Sequence, residues 1–176
     1  MRERRALPDG SWVVVRSVEP ADRAQLRDGF AALSSESRRR RFLTGVTRLD
    51  EDTLDYLTEV DHVGHEAIGV LTDEGEGLGI GRYVRCAAEP DAAEVAITVR
   101  DDQQGRGIGT LLLTTLAEEA ARHGIRRFVT YVLWENRPMV DLLVAVGGRG
   151  RPSEPGLARI DIGLPEPALQ GRRDAR

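Results

Sequence analysis

Over residues 94–99 apolar and polar side chains alternate. Val95, Ile97 and Val99 fall on one face and Glu94, Ala96 and Thr98 on the other, which is the two-residue period of a strand. Residues 101–105 break the pattern. From Ile108 the apolar positions follow helical spacing, with Leu112, Leu116 and Ala120 coming in steps of four. The chain thus predicts a strand, a glycine-rich loop and a helix in direct succession.

The flanking patterns complete the picture. Residues 12–18 are β-branched and apolar enough for a first strand. Pro20 suits the first turn of a helix with Ala24, Leu26, Phe30 and Leu33 as its apolar side. Ser34 or Ser35 caps a second short helix to Leu43, and Asp50 caps a third that ends near Val60. Residues 66–71 and 78–87 read as strands joined by an acidic, glycine-bearing turn. Beyond the Ile108 helix, Gly124 is placed as a C-cap and 126–133 as a central strand. Asn136 opens a helix with Met139, Leu142, Leu143 and Val146 as its buried side, which Gly147 and Gly148 stop. Residues 157–162 alternate as a last strand. This order predicts an α/β (α+β) layer structure around a mixed sheet. It occupies one domain over residues 11–163, between a flexible start (1–10) and a polar tail (164–176).

Composition narrows the function only a little. A net charge of −4 over 176 residues argues against a dedicated nucleic-acid binder, which is usually basic. The apolar runs are too short to span a bilayer, and the basic N-terminus lacks the apolar stretch of a secretory signal. The single cysteine, Cys86, rules out an internal disulfide and fits a reducing cytoplasm. All 25 basic residues are arginine, which excludes lysine Schiff-base chemistry within the chain. Four of them, Arg38, Arg39, Arg40 and Arg41, wrap most of the second helix. They read as a solvated face with Phe42 turned inward, or as a contact to a phosphate or an acidic partner. His62 and His65 alone make a weak metal signal, and no metal site is assigned.

The chemistry points to the loop. Gly105, Gly107 and Gly109 stand where a helix begins, and the first amides of a helix have no carbonyl partner. Small residues there let an anion approach the backbone, so the segment predicts a phosphate or pyrophosphate cradle. A Walker loop needs a lysine, which the chain lacks. A dinucleotide fingerprint would put Gly or Ala where Leu112 stands.

What fits is Gln-x-x-Gly-x-Gly, formed by Gln104, Gly107 and Gly109 after a strand that bears a carboxylate. It resembles the acyl-CoA signature of the GNAT superfamily of N-acetyltransferases, and the element order over residues 11–163 resembles the GNAT fold. Segments 34–42, 61–67, 93–99 and 132–136 are similar to the acetyltransferase domains of bacterial Pat-type protein lysine acetyltransferases. The resemblance implies a mostly antiparallel sheet of about six to seven strands flanked by helices, with acetyl-CoA as cosubstrate. It also implies the roles. Backbone groups of Ile97 and Val99 would pair with the pantetheine arm, and amides of Gln104, Gly105, Arg106, Gly107, Ile108, Gly109 and Thr110 would hold the pyrophosphate. Asn136 and Met139 would line the acyl end, and Glu94 would be the general base, with His65 near the substrate entrance.

Strand geometry agrees with that assignment, because five residues at about 3.3 Å each put Glu94 roughly 16 Å from Val99. One position departs from the pattern: Leu143 stands where many GNAT enzymes carry a tyrosine that protonates the leaving thiolate. The expected activity is transfer of acetyl to an amine, first a protein lysine. A small amine acceptor and a non-catalytic acyl-CoA sensor are the alternatives. An exposed strand edge could support a homodimer.

Overall fold

The computed structural model describes residues 1–43 and 46–165. Eight strands form one sheet: β1 (Arg2–Ala6), β2 (Trp12–Ser17), β3 (His65–Leu71), β4 (Gly77–Arg85), β5 (Ala92–Val99), β6 (Arg127–Leu133), β7 (Arg149–Glu154) and β8 (Leu157–Gly163). Their order is β1-β2-β3-β4-β5-β6-β8-β7. Every neighbouring pair is antiparallel except β5 and β6. Five helices accompany them: α1 (Arg23–Ala32), α2 (Ser35–Phe42), α3 (Glu51–Thr58), α4 (Ile108–Arg122) and α5 (Arg137–Ala145).

Two expectations are corrected. Residues 2–6, expected as part of a flexible start, form β1 and pair with β2 from Arg2–Arg16 to Ala6–Trp12. Residues 149–154, not expected as a strand, form β7 on β8, so the sheet has eight strands rather than six or seven. Both are edge strands. β7 is exposed at every residue and β1 is nowhere buried, so neither needed an apolar alternation. Their arginines and Pro152 suit an edge that must not recruit another strand. Most of the expected polar tail, residues 166–176, lies outside the described residues.

The helices divide between the two faces. α4 packs closely on β4 because two glycines admit it. A Cβ at Gly79 would lie 3.1 Å from Ile108, and one at Gly81 only 2.7 Å from Leu116. Ile97, Phe128, Leu143 and Ile160 join α4 in the larger core. Phe30, Leu33, Leu49, Leu54 and Leu57 form a second cluster where α1 and α3 meet. α4 ends as expected: Gly124 takes φ 78°, and the Ile125 amide returns to the Ala120 carbonyl at 3.0 Å.

The stop after α5 is tighter. Gly147 has φ 88°, and the Gly148 amide donates to the Leu143 carbonyl at 2.9 Å. A Cβ on Gly148 would fall 2.5 Å from that carbonyl oxygen, and a backbone atom cannot swing aside. Gly148→Ala is therefore expected to cost about 2 kcal/mol, a fall of roughly 4–8 °C in Tm. Gly29→Ala, in open space on α1, should instead raise stability by about 0.5–1 kcal/mol. Thermal unfolding followed by circular dichroism of both variants checks the pair, and equal shifts would contradict the packing account.

Candidate functional site

β5 and β6 run side by side for only three residue pairs, the last being Glu94 with Val129. β5 continues to Val99 along β4, and β6 to Leu133 along β8. The strands therefore part after Glu94 and open a cleft of about 460 Å³. The Arg100 amide donates across to the Leu78 carbonyl at 2.9 Å, toward β4. Backbone groups alternate sides along a strand, so those of Ile97 and Val99 turn the other way, toward the cleft.

At the far end of β5 lies the glycine loop. A single 3-10 turn over Asp101–Gln103 leads into it. Gly105 (φ 77°) and Gly107 (φ 87°) are left-handed, a conformation that costs a residue with a side chain. Gly107 has a second reason to be glycine, since a Cβ there would meet Pro8 at 2.8 Å. Among the described residues, the amides of Ile108, Gly109 and Thr110 donate to no protein acceptor. They point out of the positive end of α4, as an anion site requires.

Two attachments hold this loop. Arg106 sends its side chain back to the β1–β2 turn, donating to Asp9 Oδ2 and Ser11 Oγ at 2.8 Å each. Hydrogen bonds from Ser11 and then Arg106 hold the Asp9 carboxyl down at about 2, so it stays ionised as an anchor. Asp101 accepts from the Ser34 amide at 2.9 Å and from the Ser37 hydroxyl, which ties the start of α2 to the loop. Ser34 caps α2 by accepting from the Ser37 amide at 3.1 Å, and Arg39 pairs with Glu135 beside Asn136. α2 thus spans the mouth of the cleft and contributes Ser37, Arg40 and Arg41 to its wall.

Of the residues expected to form the site, Ile97, Val99, Gln104, Gly105, Gly107, Ile108, Gly109, Thr110, Asn136 and Met139 all line the cleft. Asn136 is buried, and its side chain has no protein partner among the described residues. Arg106 and Glu94 lie outside the lining. Arg106 braces the loop from behind, and Glu94 stands exposed at the point where the strands part. Its carboxylate makes no hydrogen bond or ion pair among the described residues. Leu143, only 2% exposed, lines the cleft and offers no proton.

Sequence reasoning missed the polar group beside Glu94. Arg82 on β4, only 6% exposed, pairs with Ala96 two positions from Glu94 and therefore shares its face. It donates to the Leu57 carbonyl and to His65 Nε2, both at 3.1 Å. Burial, then the nearby charge of Arg41, pushes its pKa down to about 10. A guanidinium can only donate, so His65 Nε2 is an acceptor and its proton sits on Nδ1. Burial and the Arg82 charge push the His65 pKa down to about 4. The Tyr56 ring lies over His65 with centroids 5.0 Å apart. Arg41 stacks on Phe42; burial lowers its pKa while the Glu94 charge opposes the shift. The run of four arginines did not betray that one of them turns inward. His62 goes instead to Glu66 at 3.1 Å, so the two histidines have separate partners.

With this geometry in place, comparison with known proteins is informative. The model of the acetyltransferase (GNAT) family matches residues 30–147. Acetyltransferase Pat of Mycolicibacterium smegmatis is 34% identical over 158 residues, 89% of this chain and 47% of that protein. The chain thus spans about half the length of that relative. Acetyltransferase PA5475 of Pseudomonas aeruginosa is 33% identical over 83% of this chain and 80% of its own. Among solved structures, the GNAT domain of S. lividans PAT superposes with a TM-score of 0.87 at 31% identity, covering 93% of this chain and 97% of that one.

The His65 assignment is open to direct measurement. An unfolded histidine titrates near 6.5 and the folded one near 4. Between those values the unfolded chain binds the proton and the native protein does not. Stability from this group is therefore complete above pH 6.5 and lost as pH falls toward 4. Nitrogen-15 NMR of the imidazoles should show a neutral Nδ1–H ring for His65 down to pH 5. A midpoint near 6.5, or a proton on Nε2, would overturn the Arg82 contact.

Proposed function

The chain belongs to the GNAT family of acetyltransferases, and on that premise we propose that it moves acetyl from acetyl-CoA to an amine, in the first place a lysine side chain of a protein. The observation that carries this reading is the parting of β5 and β6 between two unlike ends. At one end the free amides of Ile108, Gly109 and Thr110 suit a pyrophosphate. At the other stands the unpartnered carboxylate of Glu94. The intervening stretch of β5, roughly 16 Å by strand rise, matches a pantetheine arm laid along the open edge.

In this reading Ile97 and Val99 pair with the arm through their backbone groups, as an added strand does. Amides of the loop from Gln104 to Thr110 hold the pyrophosphate, and Arg106 keeps the loop in place from behind. Asn136 and Met139 line the pantetheine and acyl end. The acceptor nitrogen loses a proton to Glu94, directly or through one water, and attacks the thioester carbonyl carbon. The carbon–sulfur bond then breaks with its pair leaving on sulfur, and the attacking nitrogen gives its second proton to water, so that acetyl remains on a neutral amide nitrogen. Leu143 supplies no acid, so the thiolate departs as the anion, which a thiol of pKa about 8.5 allows.

The surroundings of Glu94 favour a macromolecular acceptor. Glu94 is itself exposed, and Tyr56, beside the His65 ring, is 54% exposed, so a protein surface can approach where a closed small-molecule pocket would exclude it. Glu94→Gln should lower kcat by about 10²–10⁴ and leave the acetyl-CoA affinity within about twofold. CoA release with a mixed protein substrate, run beside calorimetric titration with acetyl-CoA, checks both. Retained turnover would remove Glu94 as the base, and wild-type binding without turnover would favour an acyl-CoA sensor.

A further inference from the structure

Two of the four arginines in α2 pair with carboxylates. Arg39 and Arg40 pair with Glu36, and Arg38 stacks on Phe30. Among the described residues, Arg41 has only the Phe42 ring as a partner. Arg82 behind it is buried against a neutral imidazole and a carbonyl. Neither guanidinium forms an ion pair with a carboxylate among the described residues. Two arginines near one another without a counter-ion leave a local positive field that folding alone does not neutralise.

The location of Arg41 decides what this charge serves. Ser37, one turn earlier in α2, is tied to Asp101 at the loop end of the cleft. Arg41 lies toward the opposite end: it lines the cleft with Ala96 of β5 and shares a neighbouring pocket with Arg82 and Ala96, and the Glu94 charge acts on its guanidinium. That places it near the reacting end of the site, away from the amides suited to phosphate. An acceptor amine arrives there as a cation, and a bare ammonium would meet two positive charges against the single carboxylate of Glu94. An acceptor with an acid of its own would be attracted instead. The donor that lines the cleft there is the Arg41 guanidinium.

We propose that the acceptor carries a carboxylate beside its reacting amine, and that Arg41, backed by Arg82, receives it. The inference rests on the acetyl-transfer reading and refines its substrate class. Such a carboxylate can come from an Asp or Glu flanking a lysine, or from the acceptor's own α-carboxylate.

The test uses two matched pairs: single-lysine peptides differing only by Asp or Asn next to the lysine, and an α-amino acid beside its carboxamide. Binding is measured by calorimetry with free CoA present, and turnover by CoA release with acetyl-CoA. In at least one pair the acid member should bind and react about tenfold better, as a charge-assisted contact to arginine predicts. Arg41→Gln should reduce that ratio to within about twofold, and because a ratio is read, any general loss of activity cancels. Preference in the peptides assigns the acid to a protein acceptor, and preference in the second pair alone assigns it to a small molecule. Equal binding of both members in both pairs, or a preference that survives Arg41→Gln, overturns the proposal. Tighter binding of the acid member that Arg41→Gln abolishes, without any CoA release, upholds the acid site and refutes acetyl transfer.

Discussion

A strand inside a sheet normally spends its backbone hydrogen bonds on both sides, and β5 cannot do so beyond Glu94. Its ladder with β4 runs to Val99, while its parallel pairing with β6 ends after three residues. Half-buried backbone groups without partners carry a free-energy cost that water in a cleft only partly relieves. The fold sustains that cost because each strand is fixed on its outer side, β5 by β4 and β6 by β8. Packing of the α5 residue Leu142 near Gly109 then sets the distance between α5 and the start of α4. The open edge is therefore built before any ligand arrives, which reduces the ordering that binding would require.

The glycine loop has the opposite problem. Left-handed glycines and free amides make a good anion site but a poor scaffold, since glycine has the most conformational freedom to lose. The missing rigidity comes from elements distant in sequence. The β1–β2 turn supplies Asp9, Ser11 and Pro8, and α2 supplies Ser34 and Ser37 through Asp101. An ionised Asp9 against a permanently charged Arg106 is an anchor that does not titrate near neutral pH. The N-terminal hairpin is thus part of the site's support, although none of its side chains needs to touch a ligand.

This division explains what was legible in the sequence. Elements with one face in the core declared themselves by period: β5, α4, β6 and α5 follow directly from the spacing of Val95, Leu112, Phe128 and Leu143. β1 and β7 lie at the edges and bury no residue, so they left no apolar pattern to read. At the site, the loop was readable because its glycines answer a local backbone demand. Arg41 and Arg82 were not, because their meaning comes from a juxtaposition of α2, β3 and β4 across sequence separations of 17 to 41. Local composition made Arg41 one of four similar residues, and only the packing of Phe42 and the position of β5 distinguish it.

The two walls of the cleft also divide its chemistry. α5 contributes Met139, Leu142 and Leu143, a surface that excludes water and holds no proton. On the opposite side α2 contributes Arg41, while Arg82 of β4, on the face it shares with Glu94, fixes His65 of β3 as the neutral Nδ1–H tautomer. The Glu94 carboxylate, exposed and without a hydrogen bond or ion pair among the described residues, can accept a proton without first surrendering a contact. A base must be unpaired to work, and a carboxylate among fixed donors ordinarily would not remain so. Arg82 is already committed to Leu57 and His65 and does not claim it. An exposed Glu94 carboxylate and an Arg41 guanidinium without an ion pair among the described residues therefore stand at one end of the cleft, and both the proposed base and the proposed acidic acceptor rest on that one arrangement.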